Sequence, residues 1–220
     1  MKKRYIVIPT VTLIIAIVFA LAFVILTTPF LENTNFLKGK NMHELIKFEQ
    51  VQYKITKSQS LLYRILTKYS AVAKFPASFD AADENFYKEG LALAKECLDW
   101  HTEKLKRLGV SADEASSNYE NDDKKDTYLD YYIPILFMSG QEGKAEAKAA
   151  IEQLLEKNDI EDFLHSSVFI SSIAENKKST DEDKQWAMSI AKKQIEASDE
   201  RIKVELNERY SKSFGALWIK

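Results

Sequence analysis

Three histidines and one cysteine are the side chains of this chain best suited to metal or nucleophilic chemistry. A zinc hydrolase needs two histidines four apart on one helix face, with a glutamate as base. His43-Glu44 opens such a motif, but Lys47 stands where the second ligand belongs. A carboxylate-bridged metal bundle needs Glu-x-x-His on facing helices. No glutamate lies three residues before His43, His101 or His165. Cys97 sits among Leu93, Ala94 and Leu98 and reads as a small buried hydrophobe; His101, one turn on, is the nearest group that could activate it. Glu120-Asn121-Asp122-Asp123 lacks the spacing and glycine of a calcium loop. Phosphate-cradling glycine loops and a GxSxG elbow are absent. The expectation is a non-enzymatic chain with no metal and no cofactor.

The remaining signal is aromatic. Tyr128, Tyr131, Tyr132 and Phe137 crowd one short segment around Pro134. They are either core between helices or the wall of a groove that accepts a peptide or helix, as tyrosine-rich surfaces do. On the second reading these four form the partner groove.

Charge narrows the partners. Of 31 basic residues, Lys2, Lys3 and Arg4 open the chain, and all 33 acidic residues follow residue 31. The rest is therefore more acidic than the total of −2. The longest basic cluster there is Lys104-Leu105-Lys106-Arg107. Phosphate contacts need a clustered basic face, so no nucleic acid is expected.

Residues 5–27 carry no charge, and a helix of about 20 apolar residues crosses the hydrocarbon core of a bilayer. The basic start, residues 1–4, should stay in the cytoplasm and the remainder should lie outside. A cleaved signal peptide is the competing reading, since Ala20-Leu21-Ala22 is small-x-small. The apolar run continues through Leu26, which favours an uncleaved signal anchor. The expected organisation is a single-pass protein of the inner membrane. A linker over 28–40 leads to an extracytoplasmic helical domain over 41–220, facing the periplasm or exterior, with a mobile loop at 110–126.

The fold class expected is all-α. Six glycines and four prolines leave few turns, and helical periodicity dominates. One helix is expected from Asn41 to Lys74 and another from Asp83 to Leu108. The second carries the stripe Phe86, Gly90, Leu93, Cys97 and Trp100 and ends at Gly109. A third should span Thr127 to Ser139, capped by Asp126 and kinked at Pro134. Gly140 to Gly143 should turn into a helix over Lys144–Lys157. Asn158 and Glu161 have capping-box spacing before Phe163, Val168 and Ile173. Thr180 and the acids after it should start a last helix reaching about Tyr210, and the apolar tail at Leu217 and Trp218 should dock back. Short linkers imply antiparallel αα-hairpins in a bundle. Leu136, Gly140 and Ala145 sit at the apolar and small positions of such a hairpin, and Ile133 to Leu155 resembles one tetratricopeptide unit. The large aromatic of that unit's second helix is missing, and no fixed period recurs.

The reading that follows is a membrane-anchored interaction or scaffold module with a protein partner. A ligand-sensing or small-molecule-binding helical domain is the alternative, ranked above an enzyme with an unfamiliar site.

Overall fold

A computed structural model of the chain describes residues 42–75, 82–109, 119–157, 160–176 and 179–218. Among them all regular structure is helical, as expected. No helix of the described residues is long and apolar enough to cross a membrane. The expected tail 1–4, anchor 5–27 and linker 28–40 lie outside them, as do 110–118 of the expected loop and Asn158 of the expected capping box.

The chain divides into two compact units, Met1–Thr56 and Lys57–Lys220. In the first, the described residues form α1 (Met42–Thr56). Phe48, Val51 and Ile55 follow steps of three and four, and all three are exposed. The single helix expected over 41–74 ends at Thr56, whose hydroxyl donates to Gln52 O at 2.9 Å. Lys57 then takes φ of 50°, and Ser58 is extended ahead of α2 (Gln59–Lys74). No glycine or proline marks that break, so composition did not show it.

In the second unit, α3 spans Glu84–Arg107, and Asp83 caps it by accepting from Phe86 N at 2.8 Å. Gly109, at φ 68°, ends the helix as expected. The buried stripe, however, is Tyr87, Gly90, Ala94, Cys97, His101 and Leu105. Only Gly90 and Cys97 are shared with the expected one, and Trp100 is exposed. Gly90 explains the choice of face. Tyr69 of α2 is fully buried against it, and a Cβ at residue 90 would stand 2.5 Å from Tyr69 Cδ1. Gly90→Val gains a few tenths of a kcal/mol in helix propensity but overpacks a filled core, at about 1–3 kcal/mol. The expected result is a net loss of about 1–3 kcal/mol, read as a melting temperature several degrees lower for the full chain in nanodiscs.

Residues Tyr119–Asp126 form α4, which packs on α3. Over 119–126 this corrects the expectation of a mobile loop. The segment is the first turns of a longer helical run, and its polarity masked that. The run continues through a π-helical stretch, Thr127–Tyr132, into α5 (Ile133–Met138). Asp126 is helical and caps nothing. Pro134 accounts for the widening. It has no N–H to return to Asp130 O, the acceptor four residues back. Ile133 N–H reaches back five residues to Tyr128 O, and the Ser70 hydroxyl of α2 donates to Asp130 O at 2.5 Å. The same aspartate's carboxylate meets Lys74 Nζ at 3.4 Å. Burial lowers the Lys74 pKa, against the raising effect of Asp130.

The rest is α6 (Gln141–Lys157), α7 (Ile160–Glu175), α8 (Asp181–Ala197) and α9 (Glu200–Phe214), closed by a 3-10 turn at Gly215–Leu217. Gly143 lies inside α6 rather than in a turn, buried where a Cβ would stand 2.5 Å from Leu136 O. Thr180 caps α8 as expected, accepting from Asp183 N at 3.1 Å. The long final helix is two helices. Ser198 is extended, and Asp199 restarts the chain by accepting from Ile202 N at 2.9 Å. The Ser-Asp-Glu run at 198–200 was the available signal for that cap. α5 packs chiefly on α6, and α7 packs on both α8 and α9. The tail docks through Trp218, whose ring lies 5.6 Å from those of both Tyr210 and Phe214.

Candidate functional site

The four aromatic candidates do not line one groove. Phe137 and Tyr132 are buried, and Tyr128 and Tyr131 are half-buried. The wide π-turn brings Tyr128 and Tyr132 into a stack, with ring centroids 5.4 Å apart. Tyr131 faces another way and meets the Tyr63 ring of α2 edge-on at 6.2 Å. Phe137 points at α7 and α8, with Phe169 at 5.3 Å and Trp186 at 6.3 Å. Phe137 also underlies Lys144 Nζ, 5.1 Å above its ring, while Lys148 Nζ sits 5.3 Å over Trp186. Both lysines close on Asp183, at 2.8 and 2.9 Å. The aromatics around Pro134 thus serve packing and an ionic clamp between α6 and α8.

Sequence reasoning passed over His101 as a site. The structure buries it completely, one turn beyond Cys97. Tyr63 Oη lies 2.5 Å from His101 Nε2, and Thr127 Oγ1 lies 3.3 Å from the same atom. Burial pushes the Tyr63 hydroxyl well above its ordinary pKa, outweighing the hydrogen bond with Thr127. The phenol therefore stays protonated. His101 is fully enclosed, and this cluster ties α2, α3 and the π-turn together.

Concave surface lies elsewhere. A groove of about 410 Å³ runs between α7 and α9. One wall is Val168, Ser171, Ser172 and Glu175, the other Glu205, Glu208, Arg209 and Lys212. Each set follows steps of three, one and three, which puts it on a single helix face. Phe75 and Ser213 complete the lining. The α9 wall is internally paired: Arg209 meets Glu205 at 3.3 Å and Lys212 meets Glu208 at 2.7 Å. Ser213 donates to Glu175 at 2.6 Å.

Serine behaviour is not uniform along α7. Ser166, Ser167 and Ser172 all return their hydroxyls to their own helix, to Asp162, Leu164 and Phe169 carbonyls at 2.7 Å. Ser171 does not. It is 6% exposed, and its Oγ has no hydrogen-bond partner among the described residues. A buried polar atom without a partner is costly, and a hydroxyl in a helix can usually find its own backbone. Ser171 is one of the residues along the groove, but its Oγ is itself enclosed.

Comparison with family models, curated proteins and solved structures gives no match to this chain. The groove therefore stands on its own chemistry. A larger concavity of about 540 Å³ between α6 and α8 is lined by Glu152, Leu155, Glu156, Lys193, Glu196 and Ala197. It offers exposed or half-exposed side chains and no orphaned buried atom among them. The α7–α9 groove combines a wall from each of two helix faces with a charged rim, and it was not legible from sequence. Its residues are ordinary helix-surface types, and only the break at Ser198 brings α9 across α7.

Proposed function

We propose that this chain is a membrane-anchored, non-enzymatic helical module that binds another protein outside the inner membrane, with residues 5–27 as its anchor. The α7–α9 groove carries this reading. Its floor is partly apolar, through Val168 and Phe75, and the carboxylates and cations of Glu208 and Lys212 stand exposed at its rim. An apolar centre with a solvated polar rim is the anatomy of a recognition surface. Anchoring adds to it, because a tether raises the effective concentration of neighbours in the same membrane. The antiparallel-hairpin bundle supplies a rigid wall for such a surface, and the resemblance of Ile133–Leu155 to a tetratricopeptide unit belongs to this proposal as an analogy of architecture.

Small-molecule binding is the second reading. The groove volume favours it, since ligand pockets run from about 300 to 1,000 Å³.

Site-specific photocrosslinking in native membranes separates the two. A photoreactive residue is placed at Glu205 or Lys212, both in the groove wall, and at Lys192 on α8 as a control. One discrete protein adduct from both groove positions, missing from Lys192, is the expected result. Adducts of equal yield from all three positions, or none from the groove, would overturn the module reading.

A further inference from the structure

We propose that the exposed face of α1 lies on the lipid surface, with Phe48, Val51 and Ile55 seated where headgroups meet acyl chains. The inference rests on the anchor reading of residues 5–27 and adds a second lipid contact to it.

α1 is apolar on two sides. Ile46 and Tyr53 are buried and supply the one inward stripe that a surface helix needs. Phe48, Val51 and Ile55 form a second stripe, 39%, 57% and 63% exposed. At about 100° per residue it points away from the Ile46–Tyr53 side by about 180°. Lys47 and Lys54 border this stripe along one flank, two turns apart. Both are exposed, and neither forms an ion pair among the described residues. Glu44, the acid on this face, stands in the first turn, where the helix dipole favours it. Apolar side chains flanked by lysines suit a helix lying in a lipid interface. The apolar face enters by about 5–10 Å, and the long lysine side chains reach back to the phosphates.

The place of α1 in the chain selects lipid as the cover. Residues 28–41 alone separate it from the uncharged run at 5–27. Fully extended they span at most about 50 Å, so an inserted anchor holds α1 within that distance of the bilayer. A tethered face needs little affinity of its own, because the tether raises its effective concentration at the surface. A second copy of the chain suits the stripe less well. A helix–helix seam of this spacing needs about three or four heptads. This one ends after a single heptad, where Lys57 turns to φ 50° and Ser58 is extended. Three side chains also fall far short of the roughly 800 Å² that each partner of a stable pair covers.

The test is fluorescence quenching of the full chain in phosphatidylcholine nanodiscs. An environment-sensitive dye is placed on Val51→Cys, on Gln50→Cys or on Ala16→Cys; Cys97 is buried and takes no label. The quenchers are lipids carrying a doxyl spin label near the top or near the end of the acyl chain. The Val51 dye should be quenched several-fold more strongly by the shallow label than by the deep one. The Gln50 dye, about 100° round the helix, should respond several-fold more weakly than Val51. Ala16, in the middle of 5–27, should answer to the deep label and so reports the anchor by itself. Phe48→Ser combined with Ile55→Ser should abolish shallow quenching at Val51 and leave Ala16 unchanged. Both substituted side chains are exposed, so the variant should fold. A Val51 dye quenched no more than Gln50, with Ala16 still quenched, would overturn the lipid seat and leave the anchor standing. Loss of quenching at both Val51 and Ala16 would overturn the anchor and the seat together. A Val51 dye that lipid labels do not quench, and that is shielded from aqueous iodide only in discs holding two copies, would give the stripe to a second chain instead.

Discussion

Asp183→Asn is expected to lower the stability of the second unit by about 2 kcal/mol at neutral pH, and to lose that effect in acid. Asp183 is buried at the start of α8, between Lys144 and Lys148. Burial alone would raise its pKa. The hydrogen bonds from Lys144, Lys148 and Thr180 overcome this and hold the carboxyl at about 2, below its ordinary 3.8. Each pKa unit corresponds to about 1.4 kcal/mol, which sets the size of the effect. The folded value is depressed, so the ionised carboxylate contributes its full stability above about pH 4. That contribution is lost as pH falls from about 4 through about 2. Urea unfolding of wild type and variant across pH 7 to 2 checks both points. A gap that persists unchanged at pH 2 would show that Asp183 acts through shape and not charge.

Tyr210→Ala should cost more, about 3–5 kcal/mol, as the removal of a large fully buried aromatic does. Tyr210 is 0% exposed on α9. Its hydroxyl donates to Gln194 Oε1 of α8, and Gln194 Nε2 donates to Ser166 Oγ of α7 at 2.8 Å. The Ser166 hydroxyl in turn donates to Asp162 O at 2.7 Å. One chain of donors thus threads three helices and leaves no member unsatisfied. Tyr210→Phe separates ring from hydroxyl: it keeps the packing and strands a buried Gln194 oxygen, for about 1–3 kcal/mol. Denaturant midpoints should therefore order wild type above Phe above Ala. A Phe variant as stable as wild type would mean the hydroxyl chain contributes nothing.

Parts of this architecture were legible in the residues because the signals were local. Asp83 and Thr180 before helical runs, Gly109 after one, and the aromatic tail at Trp218 each act within a turn or two, and each does what its type suggests. Period-based reading failed where tertiary contacts decide. On α3 two stripes were comparably apolar, and the buried one is the one that lets Gly90 admit Tyr69 and lets His101 reach Tyr63. His101 was weighed only as a neighbour of Cys97, because its partner Tyr63 lies 38 positions away. The groove was illegible for the same reason. Its residues are ordinary helix-surface types in sequence, and α7 and α9 meet only through the fold. Of the aromatic candidates, Phe137 and Tyr132 were conspicuous because the core needs them, and large apolar side chains advertise burial more readily than recognition.

The widened turn at Thr127–Tyr132 has a consequence for how this chain tolerates change. A π-turn holds more residues than the α-turn it replaces, so each step through it rotates the following helix away from an ideal 3.6-residue count. α5, buried all round from Ile133 to Phe137, takes its register against its neighbours from that surplus. Elsewhere in these helices a single-residue deletion would swing every later side chain about 100° out of place. Within 127–132 a deletion instead draws on slack already in the backbone, making this stretch the chain's natural expansion joint for length variation.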